Sequence, residues 1–436
     1  MPKIIPVVLV TVLTLAALPA QARGIIRDAD IEYALRQLAA PVLQAAGLNA
    51  KRTKIIVIND GSLNAFVADS RHIFLHSGLI LKLQNARSLQ AVIAHEAAHI
   101  TNGHITRRAG NARAARSAAG LGLVLAAAAA ASGAPEAAAG IAAGSRSSAM
   151  RRFFAHTRSE EASADATSIR TLVNAGIDPR GALEVQELFR GQEALTAGRQ
   201  DPYNRTHPLT RDRIRANEAT IAGVRGTFKD RPADAYWFAR AQGKLSAFTR
   251  APRWTLRRAG SSPSSDIAEM RRAVAYHRQS NLGKALTHMD KAIALRPNDP
   301  FLRELKGQIL LENRKFSQAA QVYGQAAKMA KGDALILGGL GRAQLAAGQV
   351  NAALKTLETA RARDFSDPRI LRDLAVAYAR AGNNAMASLA TAERYALAGR
   401  LKDARINAAR AEGLLPRGSG PWQRAQDVLS ATRNLR

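Results

Sequence analysis

Hydrophobic and polar positions change rhythm several times along this chain. Residues 29–46, ADIEYALRQLAAPVLQAA, set apolar side chains at helical spacing behind an acidic start and predict a helix. KIIVIND (54–60) reads as a buried strand rich in β-branched residues. LNAFVAD and HIFLHSG, parted by Ser70 and Arg71, predict a strand pair over 63–78 closed by a tight turn. Helical spacing resumes near Ala86 and runs through VIAHEAAHITNGH (92–104). One small sheet followed by helices predicts an α+β domain that is mostly helical.

Beyond residue 265 the pattern repeats. Ala285, Ala319 and Ala353 are each 34 residues apart, Gly307 and Gly341 keep the same step, and so do Pro300, Ala334 and Pro368. A 34-residue period with small residues at fixed points and turn signals such as RPNDP marks tetratricopeptide helix pairs stacked as an α-solenoid. Residues 393–416 read as a further unit, out of phase with the others. GSSPSS (260–265) is a linker by composition. The expected division is therefore a first domain over 23–259, the linker, and a repeat domain over 266–436.

The first residues change where the chain is expected to work. Lys3, an apolar run from Ile4 to Leu18, and the small-residue pattern Ala20-Gln21-Ala22 predict a cleaved signal peptide over 1–22 and an exported, periplasmic protein. A second small-residue stretch, 117–144, is interrupted by Gly133, Pro135 and Glu136, which argues against a membrane span. It reads either as a helical lid touching a membrane surface, the preferred expectation, or as ordinary small-residue helix packing.

The 436 residues contain no cysteine, which excludes disulfides and thiolate metal sites. A net charge of +29 invites a nucleic-acid reading. Export and the lack of an aromatic-studded basic module argue against it, and no nucleic-acid partner is expected. Peripheral contact with an anionic membrane is one expectation for so basic an exported chain; a solvated arginine-rich surface is the other.

Three histidines and a glutamate in an otherwise apolar helix require partners, because burying them unpaired is costly. His95 and His99 lie about 40° apart around a helix, one turn removed, so two imidazoles can grip one ion with Glu96 beside them as base. His104, about 180° round from His95, is not expected to join them. The longer motif with a glycine and a third histidine is absent, since Asn102 and Ile105 stand at those places. A third protein ligand must come from elsewhere. RSEEASADATSIRTL (158–172) puts Glu161 and Asp165 on one helical face, where Glu161 can supply a carboxylate ligand and Asp165 can orient a ligating histidine. THPLTRDRI (206–214) adds His207 and Arg213 in a loop-to-helix setting.

HEAAH, then Glu161–Asp165 as E-x-x-A-D, then His207–Ile214 as H-P-L-x-x-x-R-I, in that order, resemble the M48 family of zinc metallopeptidases. The resemblance implies a zincin-like protease domain holding one Zn2+ per chain, with His95, His99 and Glu161 as ligands, Glu96 as general base and Asp165 behind a ligand. It places His207 near the metal, either as a fourth ligand at rest or as a stabiliser of the transition state, and it suggests Arg213 as an oxyanion contact. Residues Asn64, Ala65 and Phe66 resemble the edge on which such enzymes lay an extended substrate; a plain core hairpin is the alternative. The implied function is a periplasmic zinc endopeptidase that cleaves misfolded or stalled outer-membrane proteins. Its repeats would recruit these clients or the barrel-assembly machinery. The competing expectation is a non-catalytic, chaperone-like assembly factor whose repeats bind outer-membrane protein precursors.

Overall fold

A computed structural model describes residues 24–107, 158–192, 195, 199–229 and 231–433. The expected signal peptide and the 117–144 segment lie outside the described residues.

Helix α1 (Ala29–Ala45) starts where the Asp28 side chain accepts from the amides of Asp30 and Ile31. It lies against a four-stranded sheet of β1 (Ile25–Ile26), β2 (Lys54–Ile58), β3 (Ala65–Val67) and β4 (His72–His76), in the spatial order β1-β2-β4-β3. The expected hairpin is present as the antiparallel pair β3–β4. Its turn is fixed by Asp69, whose carboxylate accepts from the amides of Arg71 and His72. β2 and β4 run parallel, because β3 returns the chain to the outside of the sheet.

The strand expected to continue to residue 78 stops at His76, where α2 (Ser77–Lys82) begins. Two contacts bend the chain there. The Ser77 hydroxyl donates to the Asp60 carbonyl and accepts from the Asp60 amide, and the Gly78 amide also donates to the Asp60 carbonyl. Only glycine tolerates this approach: a Cβ on Gly78 would sit inside the Gly61 carbonyl.

Helix α3 (Ala86–Thr101) is capped by Asn85 and buried over most of its length, from Ala86 to His99 with one exception, half-buried Arg87. A helix apolar on nearly all sides belongs at the centre of a domain. There it packs between the sheet, α1 and the following helices α4 (158–174) and α5 (Arg180–Leu188). Short α6 (Pro202–Thr206) and α7 (Arg211–Ala222) complete the wall opposite α3.

The long α8 (Pro232–Thr249), then α9 (Pro252–Ala259), lead through a turn at 260–264 into α10 (Ser265–Arg278). Antiparallel helices follow: α11 (Leu282–Leu295), α12 (Pro300–Glu312), α13 (Phe316–Met329), α14 (Ala334–Ala346), α15 (Val350–Arg363), α16 (Pro368–Arg380), α17 (Asn384–Leu397), α18 (Leu401–Leu414) and α19 (Gly420–Ala431). The 34-residue step is a packing device. Ala285, Ala319 and Ala353 are fully buried where paired helices meet. A Cβ on Gly307 would lie 2.7 Å from the Tyr323 ring, and one on Gly341 2.5 Å from Leu357. Gly307→Ala should therefore cost about 1–3 kcal/mol through overpacking, read as a lower urea midpoint at unchanged slope.

The repeats curl back onto the first helix. Phe301 of α12 packs on Tyr33 with ring centroids 4.8 Å apart, and Arg27 reaches Asp364 at 2.7 Å. Between them lies a buried charge network. Arg240 and Lys244 of α8, each at most 1% exposed, meet Asp28 and Asp30 on one side and Asp299 and Glu304 on the other.

Candidate metal centre

The buried length of α3 presents His95 and His99 on one face, as their spacing requires. Across from them α4 offers Glu161, fully buried, and the segment after α6 offers His207. The ring nitrogens His95 Nε2 and His99 Nε2 are 3.1 Å apart. Glu161 lies 3.2 Å from His95 and 3.4 Å from His99. His207 Nδ1 is 3.0 Å from Glu161 and 3.4 Å from His95 Nε2. One donor atom from each of the four falls within 4.8 Å of every other.

These separations fit a metal ion. Ligands about 2.0–2.1 Å from a tetrahedral zinc lie about 3.3 Å from one another. Imidazole nitrogen and carboxylate oxygen are donors that such an ion takes. The electrostatics point the same way. Burial alone would lower His95, but hydrogen bonds and charge from Asp165 and Glu161 carry its pKa up to about 10. Burial would raise Glu161, yet His207 and His95 hold it well below the usual carboxylate range. Asp165 follows the same logic, brought down to about 2 against its burial by His95 and Arg213. Two ionised carboxylates thus favour positive charge at the focus of three imidazoles.

Asp165 accepts from His95 Nδ1 at 3.1 Å, which fixes the tautomer that leaves Nε2 as a donor of its lone pair. Arg213 of α7 grips Asp165 with both arms, Nε to Oδ2 at 2.8 Å and Nη2 to Oδ1 at 2.9 Å, while Nη1 donates to the Pro208 carbonyl. Asp165→Asn should weaken metal binding about 10–100-fold, measured by competition with a chromogenic chelator.

His104 is not among the four clustered donors, as expected, but it does not lie on the far side of the helix. It is buried, with Nδ1 2.9 Å from His99 Nδ1. An angle of 180° holds only in an unbroken helix; α3 ends at Thr101 and Gly103 takes φ +70, so the chain turns back and brings His104 behind His99. The Asn102-Gly103 pair was the available signal. If His99 Nε2 binds a metal, its Nδ1 carries the proton and donates to His104, as His95 does to Asp165.

Glu96 is fully buried, with Oε1 3.4 Å from His207 Nε2. Tyr203, which the sequence reading missed, lies against the His207 ring with centroids 4.7 Å apart, and its amide donates to the Leu63 carbonyl just before β3. The Thr206 hydroxyl donates to Asn64 Oδ1 at 3.4 Å. Ala65 and Phe66 lie in β3, at the end of the sheet, and Phe66 stacks on Phe74.

Residues 26–221 match the family described as Peptidase family M48. The chain carries an M48 metallopeptidase domain. Residues 310–375 match a tetratricopeptide repeat family. The chain is 31% identical over 215 residues to the putative beta-barrel assembly-enhancing protease of Vibrio cholerae serotype O1, covering 44% of this chain and 43% of that one. It is 27% identical over 363 residues to the beta-barrel assembly-enhancing protease of Escherichia coli strain K12, covering 80% of this chain and 72% of that one. Among solved structures, MamA 41-end from Desulfovibrio magneticus RS-1 aligns with a TM-score of 0.33 at 19% identity, covering 37% of this chain and 94% of that one. No helix among the described residues is long and apolar enough to cross a membrane.

Proposed function

We propose that the chain is a zinc endopeptidase of the periplasm that cleaves misfolded or stalled outer-membrane proteins. The observation that carries this reading is Glu96 on α3 between His95 and His99, beside the four donors that these two histidines form with Glu161 and His207. A purely structural metal site would have no use for that carboxylate. The names of the relatives in Vibrio cholerae and Escherichia coli support the choice of client. Residues 23–259 would form the peptidase domain, 260–265 the linker and 266–436 the repeats that recruit clients or the barrel-assembly machinery.

His95, His99 and Glu161 would hold the ion, and His207 would fill its fourth position at rest. When bound, zinc supplies a Lewis acid that acidifies a water and polarises the scissile carbonyl. Glu96 takes the proton of the attacking water and later delivers it to the leaving amine. His207, swung away from the cluster, is then placed to donate to the developing oxyanion. Arg213 has its fork committed to Asp165, so a positioning role through Asp165 and His95 suits it better than a direct oxyanion contact. Extended substrate would add to the outer edge of β3 at Asn64–Phe66.

His207→Ala separates the resting role from the catalytic one. If His207 chiefly fills the fourth position, the variant keeps one zinc per chain and cleaves a short unstructured peptide faster than the parent protein. A slower variant with full zinc makes His207 a stabiliser of the transition state. Loss of zinc from the variant would contradict the three-ligand assignment.

A further inference from the structure

Arg271 is a cation on α10. It is 8% exposed, and no carboxylate among the described residues pairs with it. Its Nη1 donates to the Arg258 carbonyl and to the Ser262 hydroxyl, at 3.1 and 2.8 Å. Nε is buried without an acceptor. Buried charges are ordinarily paired, and one that is not is costly to keep. Burial and the neighbouring Arg258 both pull its guanidinium below the usual arginine range.

Around it lies a cleft of about 670 Å³ between α8, α9 and α10, with the turn before α3 along one side. Arg250, Trp254, Arg258, Ser262, Ile267 and Arg271 are on its wall. Trp254 orders two of the cations, with Arg250 and Arg258 over its ring at 6.0 and 5.3 Å from the centroid. The N-terminus of α10 borders the same space, and the Ser264 side chain at its cap makes no bond to the first-turn amides. Asp266, the acidic residue of that turn, is turned elsewhere, to Ser264, Tyr236 and Arg296.

We propose that this cleft binds a phosphate group, either free or as the headgroup of an anionic lipid. Three arginines, a hydroxyl and a helix N-terminus line one cleft with no carboxylate on its wall, which suits a tetrahedral dianion better than a single carboxylate. The apolar part of the wall, Trp254 and Ile267, leaves room for whatever carries the phosphate. Arg253 and Arg257 of α9 are exposed and add positive charge to the same helix.

The test uses the mature full-length chain and reads binding, so it does not depend on peptidase activity. One arm titrates inorganic phosphate by calorimetry. The other sediments the protein with phosphatidylcholine vesicles, with and without phosphatidic acid. The variants are Arg271→Gln, Arg258→Gln and the remote, exposed control Arg410→Gln. Arg258 is exposed, so its variant reports on the site even if Arg271→Gln folds poorly. Saturable binding that weakens about tenfold or more in Arg258→Gln, and not in Arg410→Gln, supports the site. Binding of phosphate alone assigns a soluble source, while binding to phosphatidic acid vesicles that free phosphate displaces assigns a headgroup. No saturable binding in either arm, or equal weakening in Arg258→Gln and Arg410→Gln, overturns the proposal.

Discussion

Replacing Glu96 by glutamine should leave zinc in place and lower peptide cleavage by about three orders of magnitude or more. The amide keeps the size of the side chain but cannot accept a proton from water. Glu96 is not one of the four clustered donors, so the metal affinity set by His95, His99 and Glu161 should stay within a few-fold of the parent value. His95→Ala removes a donor and should lose zinc and activity together. The contrast between the two variants, read as bound zinc by atomic emission and cleavage of a fluorogenic peptide, separates a base from a ligand. A zinc-loaded Glu96→Gln protein with full activity would refute the mechanism.

The second large effect concerns stability. Arg240 is 1% exposed and joins Asp30 of α1, at 3.1 Å, to Asp299 before α12, at 2.5 Å. Burial raises the pKa of Asp30, and the charges of Arg240 and Lys244 oppose that rise. Removing the guanidinium takes this ion-pair partner from Asp299 and leaves Asp30 with Lys244 alone, 3.7 Å away, so buried negative charge is under-compensated. Arg240→Met should therefore cost about 3–5 kcal/mol, seen as a lower midpoint of urea unfolding. Adding Asp30→Asn should recover part of the loss, because that under-compensated charge is then absent. A cost for Arg240→Met near that of an exposed arginine, within about 0.5 kcal/mol, would show that the network does not tie α1 to the repeats.

Local patterns explain how much of this was readable. The paired histidines and the facing carboxylates of α4 declare themselves by spacing along one helix, the small residues every 34 positions by a step from one helix pair to the next, and the structure places them as that spacing requires. Contacts between distant elements leave no such trace. Nothing near Asp165 announces that Arg213 will clasp it, and nothing near Arg240 announces Asp30, which lies 210 residues away. The parallel pairing of β2 with β4 is likewise a property of the assembled sheet. His104 stays outside the donor set, yet its position behind His99 is not legible from helical spacing, because Gly103 with its positive φ ends the helix before it.

The most direct test titrates zinc into metal-free mature protein and follows cleavage of an unfolded outer-membrane barrel precursor. Cleavage should rise with bound zinc, level off at one ion per chain, and disappear on chelation. A protein that carries one zinc per chain, binds the precursor and leaves it intact is not a zinc peptidase of such clients, and cleavage that persists after the metal has been stripped would equally rule that role out.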